Sequence, residues 1–268
     1  MTIALAIPHT PWRPERVDSL RRLESQLGTL MGPGLIEPSC SPWGGPGRLF
    51  TERVPNWQWA DNMWTWAEST GCDHFLQLQD DVIVDSQFWT HLSAMLEALP
   101  NEIIGLESVH QWSVMAYQAG HHWYTSTDCL IGVGYVLPRA MLSEFNLWRY
   151  KYLRRGATTG ALNEDTMIAI FAMATGRPIW HPVPTIIDHD VSLPSTYGND
   201  HHSHRRPLVT TVDRDSEPGA KADRGWGDII NVRNTGRFYG VTPWFCRKWV
   251  KRYELTDYER DMANGGDE

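Results

Sequence analysis

The chain has few cysteines, and none of them are paired in sequence. Cys40, Cys72, Cys129 and Cys246 are far apart and form no Cys-x-x-Cys motif. This spacing argues against a disulfide framework and against a zinc site, so we expect reduced thiols in a cytosolic protein. The sequence also lacks any run of about 18 apolar residues, so no membrane-spanning helix is expected. Residues 1–8 are apolar but contain no basic residue and end at a proline, which is not the pattern of a signal peptide.

The remaining composition is that of an ordinary globular protein. The 268 residues are 41% hydrophobic and 21% charged, which is enough to bury one large α/β core. Fourteen tryptophans are unusually many, and such rings either fill the core or stack on sugars and bases.

Charge is distributed unevenly along the chain. The net charge is −8, yet residues 203–252 carry eleven Lys or Arg against five Asp or Glu, a local balance of +6. Residues 237–253 interleave these cations with aromatic rings, a mixture that suits phosphate neutralisation and base stacking. The same pattern also fits an amphipathic helix whose basic side faces solvent or a membrane surface. We therefore expect residues 196–268 to be a loop with a basic, aromatic extension, separate from a domain over residues 1–195.

Predicted strands alternate with predicted helices over most of the chain. This order indicates an α/β fold with a central, mainly parallel sheet flanked by helices. The middle of the chain differs, because residues 112–124 and 128–137 are typical of strands or a hairpin. The predicted strands are residues 2–7, 35–36, 75–78, 103–106, 179–180 and 185–187. The predicted helices are residues 16–30, 56–70, 86–99, 162–175 and 238–253, with another beginning at residue 138.

Two adjacent carboxylates, Asp80 and Asp81, follow the apolar run of residues 75–78. An apolar strand is expected to end before two charges, which places both acids at its carboxyl end, where open α/β sheets bind ligands. Two hard oxygen donors at that edge suit a divalent cation that carries a diphosphate. A solvated turn after a buried strand is the alternative, since Asp is common in turns.

Three patterns in the chain resemble the GT-A class of nucleotide-sugar glycosyltransferases. The strand ending in Gln79-Asp80-Asp81 is similar to that class's DxD-type metal motif. The run of residues 130–139, followed by Asn163-Glu164-Asp165, is similar to its acceptor-side strand and the acidic start of a later helix. Residues 184–189 are similar to the strand that bears a late metal-binding histidine. The resemblance implies a GT-A-like, Rossmann-like sheet with a small mixed acceptor-side sheet, covering residues 1–195.

The resemblance also implies a metal site and a nucleotide site. Asp81 and His189 are the expected ligands of Mn²⁺ or Mg²⁺, and an imidazole ligand favours Mn²⁺. Asp188 and Asp190 flank His189 and are further possible ligands. The nucleotide of the donor, most simply a UDP-sugar, is expected to contact residues near the first two strand ends: Pro8, His9, Thr10, Arg16, Gln79 and Asp80.

A catalytic base is expected where the later helix begins. The resemblance favours Asp165 as the carboxylate that removes the acceptor's proton, with Glu164 as the alternative, and it implies inversion of configuration. Without a catalytic role, the same acids would complement the helix dipole beside an N-cap at Asn163.

Several classes of acceptor are compatible with the sequence. The basic, aromatic C-terminal segment favours DNA, as in phage-type glycosyltransferases that modify 5-hydroxymethylpyrimidines in a host cytoplasm. A glycan, lipid-linked or protein acceptor is the alternative. A sugar nucleotidyltransferase is disfavoured because residues 8–12 contain no glycine-rich phosphate loop. A non-catalytic glycan- or nucleic-acid-binding protein is the third possibility. His201, His202 and His204 are expected either to close over the diphosphate or to lie in a polar loop.

Overall fold

The computed structural model describes residues 1–28, 35–36, 43–54, 56–108, 111–126, 132–152, 164–190, 192–193, 207 and 209–212. Its strands are β1 Ile3–Pro8, β2 Leu35–Ile36, β3 Gly47–Phe50, β4 His74–Leu78, β5 Val82–Val84, β6 Ile103–Gly105, β7 Trp123–Ser126, β8 Gly134–Pro138, β9 Ile179–Pro182 and β10 Ile187–His189. Its helices are α1 Pro14–Leu27, α2 Asn56–Thr70, α3 Phe88–Ala98, α4 Gln111–Gln118, α5 Arg139–Tyr152 and α6 Glu164–Ala174.

The main sheet has eight strands in the order β2-β3-β1-β4-β8-β6-β9-β7. Parallel pairing joins β1 to β3 and β4, and β6 to β9, whereas β2, β8 and β7 pair antiparallel to their neighbours. Five of the eight strands therefore run in one direction. The predicted α/β class with a mainly parallel sheet is confirmed, and the small second sheet is the antiparallel pair β5 and β10.

Alternate residues of each central strand enter opposite layers, as the two-residue period of a strand requires. In β1, Ala4 and Ala6 belong to the core beneath helices α2, α5 and α6. Ile3, Leu5 and Ile7 belong to the core beneath α1 and α3. Because both faces of the sheet are covered, its strand ends are the exposed places where polar groups can collect.

One predicted element is wrong in type. The strand or hairpin expected over residues 112–124 is instead helix α4 followed by strand β7. Trp, Val and Tyr in this stretch favour strands by local propensity, but packing decides otherwise. Ala116 of α4 is buried against Tyr124 and Val183, with Trp112 and Tyr117 packed alongside.

Two strands were not predicted. Strand β3 lies where neither a strand nor a helix was predicted, and it pairs with β1. Strand β4 ends before the two aspartates as predicted, but the separate short strand β5 that follows them immediately was not predicted.

Some sequence predictions fall on residues outside the described ranges. These include the C-terminal helix at residues 238–253 and most of the extension over residues 196–268, so the two-part division of the chain stays a prediction. In the described part of the chain, no helix is long and apolar enough to cross a membrane. Cys72 is a buried free thiol, and the other three cysteines lie outside the described ranges.

Candidate active site

The carboxyl ends of β1 and β4 bring the first set of polar side chains together. The two strands are parallel neighbours, with Ala6 of β1 opposite Gln77 of β4. His9 and Thr10 follow β1, and Asp80 and Asp81 follow β4. The aspartates therefore lie at the carboxyl end of a buried strand, as the sequence predicted.

Asp80 is held entirely by the turn after β1 and the start of α1. Its Oδ2 lies 2.8 Å from Nδ1 of His9 and accepts a hydrogen bond from the backbone N–H of Thr10 at 3.2 Å. Its Oδ1 accepts a hydrogen bond of 2.8 Å from Nη1 of Arg16. Asp80 is buried, so these contacts compensate the loss of water around its charge. Asp80 thus fixes the β1–α1 turn against the end of β4.

Only one carboxylate oxygen of Asp81 has a hydrogen-bond or ion-pair partner among the described residues. Oδ2 contacts Nη1 of Arg16 and lies 2.9 Å from Nε2 of His189. Oδ1 is buried and has no hydrogen-bond partner among the described residues. Burial alone would raise the pKa of Asp81, but the hydrogen bond and charge of His189, with the charge of Arg16, lower it. Asp81 is therefore an ionised carboxylate with one oxygen left for another ligand.

His189 reaches Asp81 because β10 pairs with β5, the short strand that directly follows the aspartates. In this antiparallel pair His189 is opposite Val82, the residue after Asp81. Burial would lower the pKa of His189, but the hydrogen bond and charge of Asp81 raise it. The imidazole keeps 18% of its surface exposed, so it lies at the boundary between the buried acids and solvent.

The two acids that flank His189 in sequence have partners other than the Asp81 carboxylate. Asp188 is fully buried, and its Oδ1 accepts a hydrogen bond of 2.8 Å from the backbone N–H of His189. Asp190 forms an ion pair of 2.8 Å with Arg22 of α1. Of these three neighbouring residues, His189 is the one whose side chain bonds to Asp81.

A second acidic group lies at the start of α6, against the segment that leads into β8. A Cβ placed on Gly132 would lie 3.1 Å from Oε1 of Glu164 and 3.4 Å from Cβ of Asp165. The carbonyl of Gly132 accepts a hydrogen bond of 3.0 Å from Nε2 of Gln77 in β4. The small size of glycine thus lets the chain pass close to both acids.

The two acids of this group differ in their surroundings. Glu164 is buried, whereas Asp165 keeps partial solvent exposure although its carboxyl lies deep in the molecule. Burial raises the pKa of Asp165, and hydrogen bonds from Thr166 and Gly132 oppose the rise.

Both acidic groups are connected through the end of β4. The backbone N–H of Gln79 donates to the carbonyl of Val133 at 2.9 Å, one residue after Gly132. Gln79 itself is placed at the strand end beside Asp80, and Pro8 is the last residue of β1. The structure thus gathers His9, Thr10, Arg16, Asp80, Asp81 and His189 directly, and it ties the group of Glu164 and Asp165 to the same end of the sheet.

Glu107 is a buried acid at this edge that the sequence interpretation passed over. It follows β6 and is 1% exposed. Burial raises the pKa of Glu107 to about 8. The charge of His189 opposes this rise, whereas the charges of Asp188 and Asp81 add to it. Glu107 is a single acid outside any motif. Its position directly after a predicted strand is the signal that would have pointed to it, as it did for Asp81.

The donor set fits a divalent cation in its chemistry. A carboxylate oxygen and an imidazole nitrogen suit Mn²⁺, and the buried Oδ1 of Asp81 has no other partner among the described residues. Asp81 and His189 are the residues that would hold the ion. These two residues do not form a complete metal site by themselves. Across the described ranges, no three His, Cys, Asp or Glu side chains are grouped so that they could hold a metal.

Several predicted contributors lie outside the described residues. They are Asn163, the histidines His201, His202 and His204, and the basic, aromatic residues 237–253.

Comparisons with known proteins identify no family. No family model matches the chain, and no curated protein matches it. Among solved structures, A197 from STIV aligns with a TM-score of 0.40 and 13% identity, covering 70% of this chain and 85% of that one. A mannose-1-phosphate geranyltransferase from Thermus thermophilus aligns with a TM-score of 0.40 and 14% identity, covering 75% and 81% of the two chains. Similarities this distant assign no activity, so the functional conclusion depends on the site itself.

Proposed function

We propose that the protein is a glycosyltransferase that moves a hexose from a nucleoside-diphosphate sugar, most simply a UDP-sugar, to an acceptor hydroxyl. The observation that carries the proposal is the pairing of Asp81 with His189. A buried, ionised carboxylate with an unused oxygen stands beside an imidazole at the carboxyl edge of an α/β sheet. This is a place and a donor set suited to a metal-bound diphosphate.

Binding of the donor is assigned to the turn after β1 and to the end of β4. Pro8, His9 and Thr10 lie where a nucleoside would enter, and Gln79 lies beside them. Asp80 and Arg16 hold this turn rigidly through their buried ion pair at 2.8 Å. A bound Mn²⁺ or Mg²⁺ would supply Lewis-acid neutralisation of the charge that develops on the leaving diphosphate.

Asp165 is assigned as the catalytic base. Its carboxylate would take the proton from the acceptor hydroxyl as that oxygen attacks the anomeric carbon. The bond from the anomeric carbon to the phosphate oxygen then breaks, and the nucleoside diphosphate leaves with the electron pair. A pKa raised by burial suits a proton acceptor that works near neutral pH. A single attack of this kind inverts the anomeric configuration.

The favoured acceptor is a 5-hydroxymethylpyrimidine in DNA. Support comes from the sequence of residues 203–252, whose local balance of +6 stands against −14 for the rest of the chain. Cations interleaved with aromatic rings match the needs of phosphate contact and base stacking. A surface glycan, a lipid-linked sugar or a protein hydroxyl is the alternative acceptor for the same chemistry.

The test is a donor-hydrolysis and transfer assay. Purified protein with Mn²⁺ is given a panel of UDP- and GDP-sugars, with and without DNA that contains 5-hydroxymethylcytosine, and the digested nucleosides are analysed by mass spectrometry. A hexose-sized mass gain on the modified base is expected. Metal-dependent donor hydrolysis without DNA modification would keep the transferase and reject the DNA acceptor. No nucleotide release from any donor would reject the enzyme and favour a binding protein.

A further inference from the structure

Glu107 and Asp81 lie at the same edge of the sheet, on either side of the start of β8. Leu78, the last residue of β4, pairs with Gly134, and the backbone N–H of Leu106 donates to the carbonyl of Gly134 at 3.0 Å. Asp81 comes three residues after Leu78, and Glu107 comes one residue after Leu106. Because neighbouring strands are about 4.8 Å apart, β4 and β6 are separated by about 10 Å, which two acidic side chains can span together.

Each of the two acids has a buried oxygen without a hydrogen-bond partner among the described residues. The atoms are Oδ1 of Asp81 and Oε1 of Glu107, on side chains that are both 1% exposed. A buried carboxyl oxygen without a partner is unfavourable, and a charged one is more so. Two such oxygens at one edge, with the imidazole of His189 within electrostatic range of both acids, indicate a site for a cation.

We propose that Glu107 is the third protein ligand of the divalent cation held by Asp81 and His189. This inference rests on the proposed function, because it deepens the metal site of that enzyme. Two carboxylates and one imidazole form an oxygen-rich donor set with room for diphosphate oxygens, a combination that suits Mn²⁺. Among the described residues the three side chains are not grouped closely enough to hold a metal, so the proposal requires the Glu107 side chain to turn toward the ion when it binds.

Gly134 lies between the two acids, where the structure is closely packed. A Cβ at this position would lie 2.6 Å from Cδ1 of Ile187 and 3.1 Å from Cδ2 of Leu78. The backbone between the two acids is therefore packed by apolar groups from β10 and β4. Glu52, which follows β3, also has a buried oxygen without a hydrogen-bond partner among the described residues, but its other oxygen pairs with Arg48. Glu107 is the candidate third donor because it interacts electrostatically with both Asp81 and His189.

The experiment measures Mn²⁺ binding directly, from the electron paramagnetic resonance signal of the free ion, with the full-length protein and no donor present. Glu107→Gln is compared with wild type and with Glu97→Gln, an exposed glutamate on α3. Glutamine keeps the shape of the neutral acid, so the variant is expected to fold, and circular dichroism with a melting temperature checks this. Glu107→Asp, which keeps the charge on a shorter stem, is the second variant.

We expect Glu107→Gln to weaken Mn²⁺ binding by about tenfold or more, Glu107→Asp to weaken it less, and Glu97→Gln to leave it unchanged. Equal binding by wild type and a folded Glu107→Gln would overturn the inference and leave the proposed function standing. Absence of Mn²⁺ binding by wild type would also overturn it. In that case, sugar transfer measured in EDTA shows whether the proposed transferase activity occurs without a metal.

Discussion

Nε2 of His189 lies 2.9 Å from Oδ2 of Asp81, although 108 residues separate them in the chain. The contact exists because β5 begins directly after Asp81 and pairs with β10, which ends at His189. The pair links the end of the main sheet to the small sheet, so a change in either residue is expected to affect the whole site.

Replacing Asp81 with asparagine removes the charge but keeps the shape of the side chain. If the diphosphate is neutralised through this residue, the rate of sugar transfer falls by about 100-fold or more. Steady-state kinetics with the best donor measures the loss. Asp18→Asn, on an 81% exposed side chain of α1, is the matched control and should keep full activity. A folded Asp81→Asn enzyme with normal turnover would contradict the metal assignment.

Matched amide substitutions distinguish the roles of the two acids at the start of α6. Asp165→Asn removes the proton acceptor and is expected to lower transfer by about 10²–10⁴-fold, while donor affinity stays near wild type. Glu164→Gln is expected to lower transfer much less. Pre-steady-state transfer rates and nucleotide titration provide the two readouts. The reverse order of effects would assign the base to Glu164.

Arg16 is expected to stabilise the fold as well as to help bind the donor. It is 3% exposed and contacts both Asp80 and Asp81, so Arg16→Gln leaves two buried carboxylates without their shared cation. A loss of about 3 kcal/mol in the free energy of unfolding is expected, measured by urea denaturation. Arg21→Gln, which breaks an exposed pair with Asp18, should change little. Equal stability of both variants would contradict the buried ion-pair network.

The raised pKa of Glu107 predicts that the free energy of unfolding of the metal-free protein depends on pH. Its pKa rises from 4.5 to about 8 in the folded state. Between these values the folded state holds a proton that the unfolded state has lost, so this group lowers the free energy of unfolding as pH rises. The slope is at most about 1.4 kcal/mol per pH unit.

The corresponding measurement compares Glu107→Gln with wild type. The variant cannot titrate at this position, so its stability relative to wild type should increase from pH 5 to pH 8 in EDTA. Urea denaturation at several pH values gives both curves. Parallel curves would show that Glu107 titrates normally in the folded state.

Much of the fold was predictable because local signals agreed with packing. Helices α1, α2, α3 and α6 have apolar faces or clear ends in the sequence, and the apolar run before Asp80 forms β4 as expected. Helix α4 was not predictable in this way, because its Trp, Val and Tyr residues favour strands until Tyr124 and Val183 supply a surface to pack on.

The sequence by itself determined that two acids follow a buried strand and that an acid pair opens an apolar helix, since charge must leave an apolar run. It also offered Asp188, His189 and Asp190 as neighbouring ligand candidates. Only the tertiary structure shows which of them contacts Asp81, because the β5–β10 register directs His189 toward Asp81, whereas Asp190 pairs with Arg22. It also brought Glu107 to the same edge and buried Arg16 against both aspartates, relationships that depend on strand order and not on any local pattern.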